Sequence, residues 1–90
     1  MRIANLEWNE YRIEHIAMHG VEPYEVWEVC QDPLNMARRE GHRRYRLYGQ
    51  TGDGRYLFVI LESFKGSTYM PVTARDMTNG EKRNFRRLRK

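Results

Sequence analysis

The chain has 90 residues, of which 40% are hydrophobic and 31% are charged. This length allows one domain with a modest core, and the composition is that of an ordinary globular protein. The sequence shows no apolar run long enough to span a bilayer and no recognisable secretory signal, so we expect a single domain over residues 1–90 and a cytoplasmic location.

Charge is distributed unevenly along the chain. Residues 1–32 carry seven acidic and two basic side chains. Residues 33–80 carry four acidic and eight basic ones, and residues 81–90 carry one acidic and six basic ones, for a net charge of +4 over the chain. An acidic first third and a basic remainder suit a protein with one surface for a polyanion, because Lys and Arg displace counterions from phosphates. A solvated surface with chance clustering of charges is the alternative.

Two helices are predicted in the first third. Asn9 is suited to cap a helix that runs to His19, where Gly20 supplies the left-handed stop. The second helix is predicted from Pro23 to Gln31. Cys30, the only cysteine, lies in this apolar stretch and is expected to be a buried thiol without a functional role.

From residue 34 to residue 75 the pattern is typical of a meander of antiparallel strands. The expected strands cover residues 34–39, 43–49, 55–61 and 68–75, with a turn at 51–54. The run 56–61 is apolar throughout, as in a central strand covered on both faces. Pro71 cannot donate to a ladder, which indicates an edge position or a local irregularity.

The end of the chain predicts a helix that begins with a capping box, with Thr78 at the N-cap and Glu81 three residues later. Phe85 and Leu88 are expected to anchor this helix, and its cations to stay in solvent. The cations are Arg83, Arg86, Arg87 and Lys90. The predicted fold class is therefore α+β, with two N-terminal helices, a small antiparallel sheet of three to four strands and a C-terminal helix.

One face of the predicted sheet is both cationic and aromatic. Arg forks hold phosphates and Tyr rings stack on unpaired bases, so this mixture is typical of single-stranded RNA recognition. Exposed strand faces also carry Arg and Tyr for solubility and cross-strand packing, which is the alternative interpretation. With the cations of the last helix, the predicted RNA-binding residues are Arg44, Arg46, Tyr48, Tyr69, Arg83, Arg86 and Arg87, and Thr73 and Arg75 share the strand face.

The histidines give weaker signals. His15 and His19 are four residues apart, which is the spacing of a two-histidine metal face, but no third ligand is suggested nearby. We favour helix-end histidines that satisfy carbonyl groups, and we predict no metal or cofactor. His42 precedes the Arg-rich strand and is a candidate proton carrier, although an exposed turn histidine without a role is the more common case.

The order and spacing of several segments resemble the BrnT toxins over nearly the whole chain. The segments are His19-Gly20-Val21, Pro23-Tyr24-Glu25-Val26, Gly41-His42-Arg43-Arg44-Tyr45, Gly49-Gln50-Thr51, Gly54-Arg55-Tyr56-Leu57, Thr73-Ala74-Arg75-Asp76-Met77-Thr78 and Glu81-Lys82. The resemblance implies a RelE-like fold and the ribonuclease half of a type II toxin–antitoxin pair. It also implies a BrnA-type antitoxin as partner, which neutralises the toxin and binds operator DNA. Met18 stands where the family usually has a cation, and His15 stands where an Asn is common.

The resemblance associates Arg75 and Glu81 with toxicity, and Arg55 matches a frequent Gly-Arg after the hairpin turn. Together with the chemistry of these side chains, the resemblance predicts metal-independent RNA cleavage in which a 2′-hydroxyl attacks the adjacent phosphorus. Arg75 and Arg55 are assigned to phosphate or transition-state stabilisation, and Glu81, with His42 as second candidate, to proton transfer. From the residues alone, Glu81 is suited either to act as a general base or to orient Arg75. A non-catalytic nucleic-acid-binding module and a module whose basic face docks an acidic protein are the alternatives.

Overall fold

The computed structural model describes residues 1–89. The elements in chain order are β1 (Asn5–Leu6), α1 (Glu10–Ala17), α2 (Pro23–Gln31), β2 (Met36–Glu40), β3 (Arg44–Gln50), β4 (Tyr56–Lys65), β5 (Thr68–Asp76) and α3 (Asn79–Leu88). Lys90, which was predicted to lie on the solvated side of the last helix, falls outside the described residues. No helix within residues 1–89 has the length and apolar character that crossing a membrane requires.

The five strands form one mixed sheet in the order β1-β5-β4-β3-β2. β2 to β5 are the predicted antiparallel meander, whereas β1 pairs in parallel with the start of β5. The prediction of three to four antiparallel strands was therefore incomplete, because a strand of two residues is too short to show an alternation. The α+β class and the three helices are confirmed.

Local signals set the helix ends. The side chain of Asn9 accepts a hydrogen bond from the amide of Arg12 at 2.8 Å, which caps α1 as predicted. α1 ends at Ala17, two residues before the predicted end, and Gly20 follows with a φ of 72°. α2 begins at Pro23 as predicted.

The sheet separates two apolar clusters. On the first face, α1 and α2 bury Ile16, Val26 and Val29 against the strands. On the second face, α3 buries Phe85 against Phe58 and Met77. β4 contributes to both clusters, which confirms the prediction of a strand covered on both faces. Its residues in the first cluster are Leu57, Val59 and Leu61.

Only one of the two predicted anchors of α3 is buried. Phe85 is 1% exposed, whereas Leu88 is 46% exposed. Cys30 is buried as predicted, and burial raises the pKa of its thiol to about 12. A thiol with that pKa stays protonated, which agrees with the structural role expected for it.

A bulge in β5 changes which residues face the helices. Ile60 pairs with Thr73 and Leu61 with Pro71, so that Val72 is the extra residue. Pro71 is consequently buried on the first face, and the irregularity expected there is confirmed. Tyr69 also packs against the first cluster, so its predicted place on the cationic face was wrong. The extra residue reverses the alternation of β5 on the N-terminal side of the bulge.

Candidate active site

α3 and the second face of the sheet enclose a cleft of about 300 Å³. The strand register places cationic and aromatic residues side by side there, because Met36 pairs with Tyr48, and Arg38 with Arg46. The cleft is lined by Met36, Arg38, Arg46, Tyr48, Glu81, Asn84 and Phe85. We call it the α3 cleft.

Arg75 and Glu81 form a two-point ion pair at the α3 cleft. Nη1 of Arg75 donates to Oε1 of Glu81 at 2.8 Å, and Nη2 donates to Oε2 at 3.1 Å. Nη1 also donates to the carbonyl of Asp76, and the guanidinium carbon lies 4.2 Å from the centre of the Phe58 ring. The side chains of Arg75 and Glu81 are 36% and 23% exposed, so the pair is held in place but reachable from solvent.

The carboxylate of Glu81 also closes the capping box of α3. Its Oε1 accepts from the amide of Thr78 at 2.9 Å, and the Glu81 amide donates to the Thr78 hydroxyl. The hydrogen bond from Arg75 holds the pKa of Glu81 below its ordinary value, and the Thr78 amide lowers it further. The same pair raises the pKa of Arg75. A carboxylate with a lowered pKa is a weaker proton acceptor, and the two-point pair fixes the orientation of the Arg75 guanidinium.

Arg38 is a cleft residue that sequence reasoning missed. It lies directly opposite Arg46, and like charges at that position destabilise a sheet. Nε of Arg46 is 3.1 Å from Oε1 of Glu40, which offsets part of the repulsion. An anion bound between the two guanidinium groups would offset the remaining repulsion between Arg38 and Arg46. Strict alternation from Met36 would have identified Arg38, but the boundaries of this strand were the least defined in the sequence.

Asn84 was missed as well. It lies one turn after Glu81 on α3, so both side chains reach the α3 cleft. The side-chain oxygen of Asn84 accepts a hydrogen bond from Arg87 at 2.7 Å. The signal that identifies Asn84 is its spacing of three residues from Glu81.

The strand residues predicted for RNA binding lie on the second face, apart from Tyr69. The centre of the Tyr48 ring is 5.2 Å from that of Phe58, inside the cleft wall. Arg44 lies farther from the cleft, and its Nε donates to Oε1 of Glu62 at 3.0 Å. Arg46 and Tyr48 are thus at the cleft, and Arg44 extends the same cationic face.

The predicted α3 cations within residues 1–89 are exposed, but they flank the α3 cleft and do not line it. The guanidinium of Arg86 lies 5.6 Å from the centre of the Tyr56 ring. Arg87 contacts the cleft through its hydrogen bond to Asn84. Arg83 is exposed on the first turns of the helix.

Arg55 is not brought to Arg75. Its Nη1 donates to Glu25 at 3.0 Å and to the carbonyl of Gly20 at 2.8 Å, and its Nε donates to Asp76 at 2.8 Å. These bonds raise the pKa of Arg55 and lower that of Asp76. Arg75 and Asp76 are consecutive strand residues, so their side chains leave opposite faces of the sheet. The expectation that Arg55 would share a site with Arg75 is corrected here, since Arg55 connects helices to β5 on the first face.

His42 is also far from Arg75. It lies exposed in the turn between β2 and β3, where its carbonyl accepts from Arg39 at 2.8 Å. In the sheet register, Arg75 is level with Phe58 and Tyr48. Tyr48 is six residues from His42, which corresponds to about 20 Å along a strand. The expected contribution of His42 to the same site is therefore not supported by its position.

His15 lies on α1 and His19 lies in the turn that follows it, with ring centres 5.6 Å apart and edge to face. Nε2 of His15 is 3.1 Å from the hydroxyl oxygen of Thr73 in β5. His15 therefore contacts a strand side chain, whereas a bond to helix-end carbonyls was expected. Within residues 1–89, no three His, Cys, Asp or Glu side chains are grouped to hold a metal ion.

Comparison with known proteins finds a likeness of fold. No family model matches the chain, and no curated protein matches its sequence. A solved structure, the ribonuclease toxin BrnT of Brucella abortus, superposes with a TM-score of 0.68 at 14% sequence identity, over 83% of this chain and 97% of that one. The resemblance drawn from the sequence is thus confirmed at the level of the fold: this chain has the fold of the Brucella abortus BrnT toxin.

Proposed function

We propose that this chain is a BrnT-type endoribonuclease, the toxin of a type II toxin–antitoxin pair, which cleaves RNA without a metal ion and so inhibits translation and growth. The observation that carries the proposal is the two-point pair of Arg75 and Glu81 beside a cleft lined by Arg38, Arg46 and Tyr48. The likeness of fold to a protein described as a ribonuclease toxin supports it.

In the proposed reaction, a 2′-hydroxyl attacks the adjacent phosphorus and Arg75 stabilises the charge that develops on the phosphorane oxygens. Guanidinium has five N–H donors in a planar fork. Among the described residues, the hydrogen bonds of Arg75 use both hydrogens of Nη1 and one of Nη2. Nε–H and the other hydrogen of Nη2 are therefore available to a phosphate, while Glu81 and the ring of Phe58 hold the guanidinium plane.

The other residues of the second face bind the RNA chain in this proposal. Arg46 and Arg38 contact phosphates, and the Tyr48 ring stacks on an unpaired base. The exposed cations of Arg44 and of α3 extend the surface that attracts the polyanion. Arg55 and Tyr69 have no part in it because they lie on the first face. His42 has none because it lies about 20 Å along the strand from the level of Arg75.

A BrnA-type antitoxin is the proposed partner, and it neutralises the toxin by covering the α3 cleft. Opposite charge favours such a contact, because α3 adds its cations to those of the second face. These cations are Arg38, Arg44, Arg46, Arg75, Lys82, Arg83, Arg86 and Arg87. DNA is bound only indirectly, through the antitoxin.

The test is expression of the chain alone in a bacterial host, with growth and total RNA integrity followed together. The wild-type chain should arrest growth and deplete RNA, and the purified protein should cleave RNA in the presence of EDTA. Arg75→Ala should lower the cleavage rate by about a hundredfold or more. Arg43→Ala is the matched control, because Arg43 is exposed in the β2–β3 turn and, among the described residues, its side chain hydrogen-bonds only to the Ser63 carbonyl.

Three outcomes would contradict the proposal. A folded Arg75→Ala protein with the wild-type rate would remove Arg75 from the chemistry, and loss of activity in EDTA would refute metal independence. Tight, salt-sensitive RNA binding without product would instead identify a non-catalytic nucleic-acid-binding module.

A further inference from the structure

A second cleft, of about 380 Å³, opens on the same face of the sheet as the α3 cleft. Ile60 in its wall pairs with Arg46 of the α3 cleft, and Thr73 in its wall is two residues from Arg75. The two clefts are therefore adjacent parts of one surface. The second cleft, which we call the α1 cleft, is lined by Tyr11, Arg12, His15, Arg44, Ile60, Val72 and Thr73.

α1 brings His15 to this surface. The helix lies along β5 beyond the two residues that pair with β1, and Nη1 of Arg12 donates to the carbonyl of Val72 at 3.3 Å. One turn later, Nε2 of His15 lies 3.1 Å from the Thr73 hydroxyl. Thr73 and Arg75 are in the regular part of β5, after the bulge, and their Cα atoms are about 7 Å apart on the same face.

We infer that His15 is the general base that takes the proton from the 2′-hydroxyl, an inference that rests on the proposed ribonuclease function. Glu81 is occupied by Arg75 and by the helix cap. His42 is about 20 Å away along the strand. Among the described residues, His15 is the histidine whose ring nitrogen reaches the sheet face that carries Arg75. Imidazole is also the side chain that exchanges protons near neutral pH.

The reaction balances with these groups. The 2′-hydroxyl replaces the Thr73 hydroxyl as the partner of His15 Nε2, which accepts its proton while the 2′-oxygen forms its bond to phosphorus. The bond from phosphorus to the 5′-oxygen breaks, and the leaving oxygen takes a proton from water. The products are a 2′,3′-cyclic phosphate and a 5′-hydroxyl, and the imidazolium returns its proton to the hydroxide left from that water. Arg75 stabilises the phosphorane between these steps.

The groups that face His15 fit this position. The Tyr11 ring stacks on the His15 ring with centres 6.3 Å apart, and His19, in the exposed turn after α1, meets it edge to face. Arg12 from the same helix and Arg44 from β3 line the α1 cleft as cations, the latter paired with Glu62. From β5, the facing polar group is the neutral hydroxyl of Thr73. A phosphate in the α1 cleft would thus meet two guanidinium groups and one imidazole.

The deciding variant is His15→Gln, because glutamine places a polar atom near the position of Nε2 but cannot accept a proton as imidazole does. The kcat for RNA cleavage should fall about a hundred- to ten-thousandfold, and the pH–rate profile should lose its acidic limb. Affinity for an RNA with a 2′-deoxy nucleotide at the cleavage site should stay within about twofold, since that analogue needs no base. His19→Gln is the matched control, and it should keep the wild-type rate because His19 is exposed in the turn that follows α1.

Thr73→Val separates a structural role from a chemical one. It removes the hydrogen bond to His15 but leaves the imidazole, so the pH–rate profile should keep its shape with only a modest fall in rate. If the wild-type chain cleaves RNA and His15→Gln retains its rate and pH profile, or raises KM alone, the inference about His15 is overturned while the proposed function stands. If the wild-type chain does not cleave RNA, both are overturned.

Discussion

Arg75 and Asp76 are adjacent in β5, yet they form ion pairs on opposite faces of the sheet, Arg75 with Glu81 and Asp76 with Arg55. The first pair lies beside the α3 cleft, and the second connects β5 to the helices of the first face. Substitutions at the two pairs should therefore have different consequences, the first mainly for RNA cleavage and the second mainly for stability.

Arg55→Ala should lower the free energy of unfolding by about 1–3 kcal/mol, because it removes charged hydrogen bonds to Glu25, Asp76 and the Gly20 carbonyl in a partly buried place. Urea denaturation measures this change. Cleavage per folded molecule should equal that of the wild type. A well-folded Arg55→Ala protein that has lost cleavage would return Arg55 to the chemistry.

Glu81→Gln should keep the capping box, because glutamine also serves at that position, but it should leave Arg75 less firmly oriented. The cleavage rate should fall about ten- to a hundredfold, and the shape of the pH–rate profile should not change. Thr78→Ala is the matched control, since it removes the cap hydroxyl and leaves the ion pair. Loss of one limb of the profile in Glu81→Gln would assign proton transfer to Glu81.

Stability should depend on two carboxylates in acid. The pKa of Asp76 is lowered from 3.8 chiefly by Arg55, and that of Glu81 is lowered from 4.5 chiefly by Arg75. Both groups bind protons more weakly in the folded than in the unfolded chain, so their stabilisation is complete above these ordinary values and is lost as pH falls through and below them. The free energy of unfolding should therefore decrease below about pH 4.5. Asp76→Asn and Glu81→Gln should each flatten this decrease, and unchanged slopes would contradict the assignment.

Arg38 and Arg39 form a matched pair of probes, because neighbouring strand residues face opposite sides. Arg38 lines the α3 cleft, whereas Arg39 stacks near the Tyr45 ring and bonds to turn carbonyls. Arg38→Ala should weaken binding of a 2′-deoxy RNA analogue and reduce the salt slope by about 1, and Arg39→Ala should change neither. Titrations at several salt concentrations measure both. Equal effects of the two substitutions would argue that RNA does not enter the cleft.

Phe85→Ala should cost about 3–5 kcal/mol, because Phe85 is the buried anchor of α3. That is a large part of the stability of a small domain. Leu88→Ala should cost less than about 1 kcal/mol, since Leu88 is 46% exposed. Chemical denaturation compares the two variants. A similar loss from both would show that α3 packs through Leu88 as well.

Signals within a few residues were readable from the sequence. The Asn9 cap, the Gly20 stop, the Pro23 start and the capping box of Thr78 and Glu81 all depend on contacts three or four residues apart. The apolar run of β4 predicted its burial on both faces for the same reason, since period and composition are local properties. The pair of Arg75 and Glu81 was also within reach, because only one turn of chain separates a strand end from a helix start.

By itself, the sequence determined the order of helices and meander strands and indicated that Glu81 lies close to Arg75. Tertiary structure alone decided on which face of the sheet residues far apart in sequence come into contact. The bond between His15 and Thr73 spans 58 residues, and the ion pair of Arg55 with Glu25 spans 30. One extra residue in β5 places Tyr69 on the first face. Side chains alternate between the two faces along a strand, and a bulge reverses this alternation for the residues on one side of it. Pro71 indicated an irregularity in β5, but the register that results from it is a property of the assembled sheet.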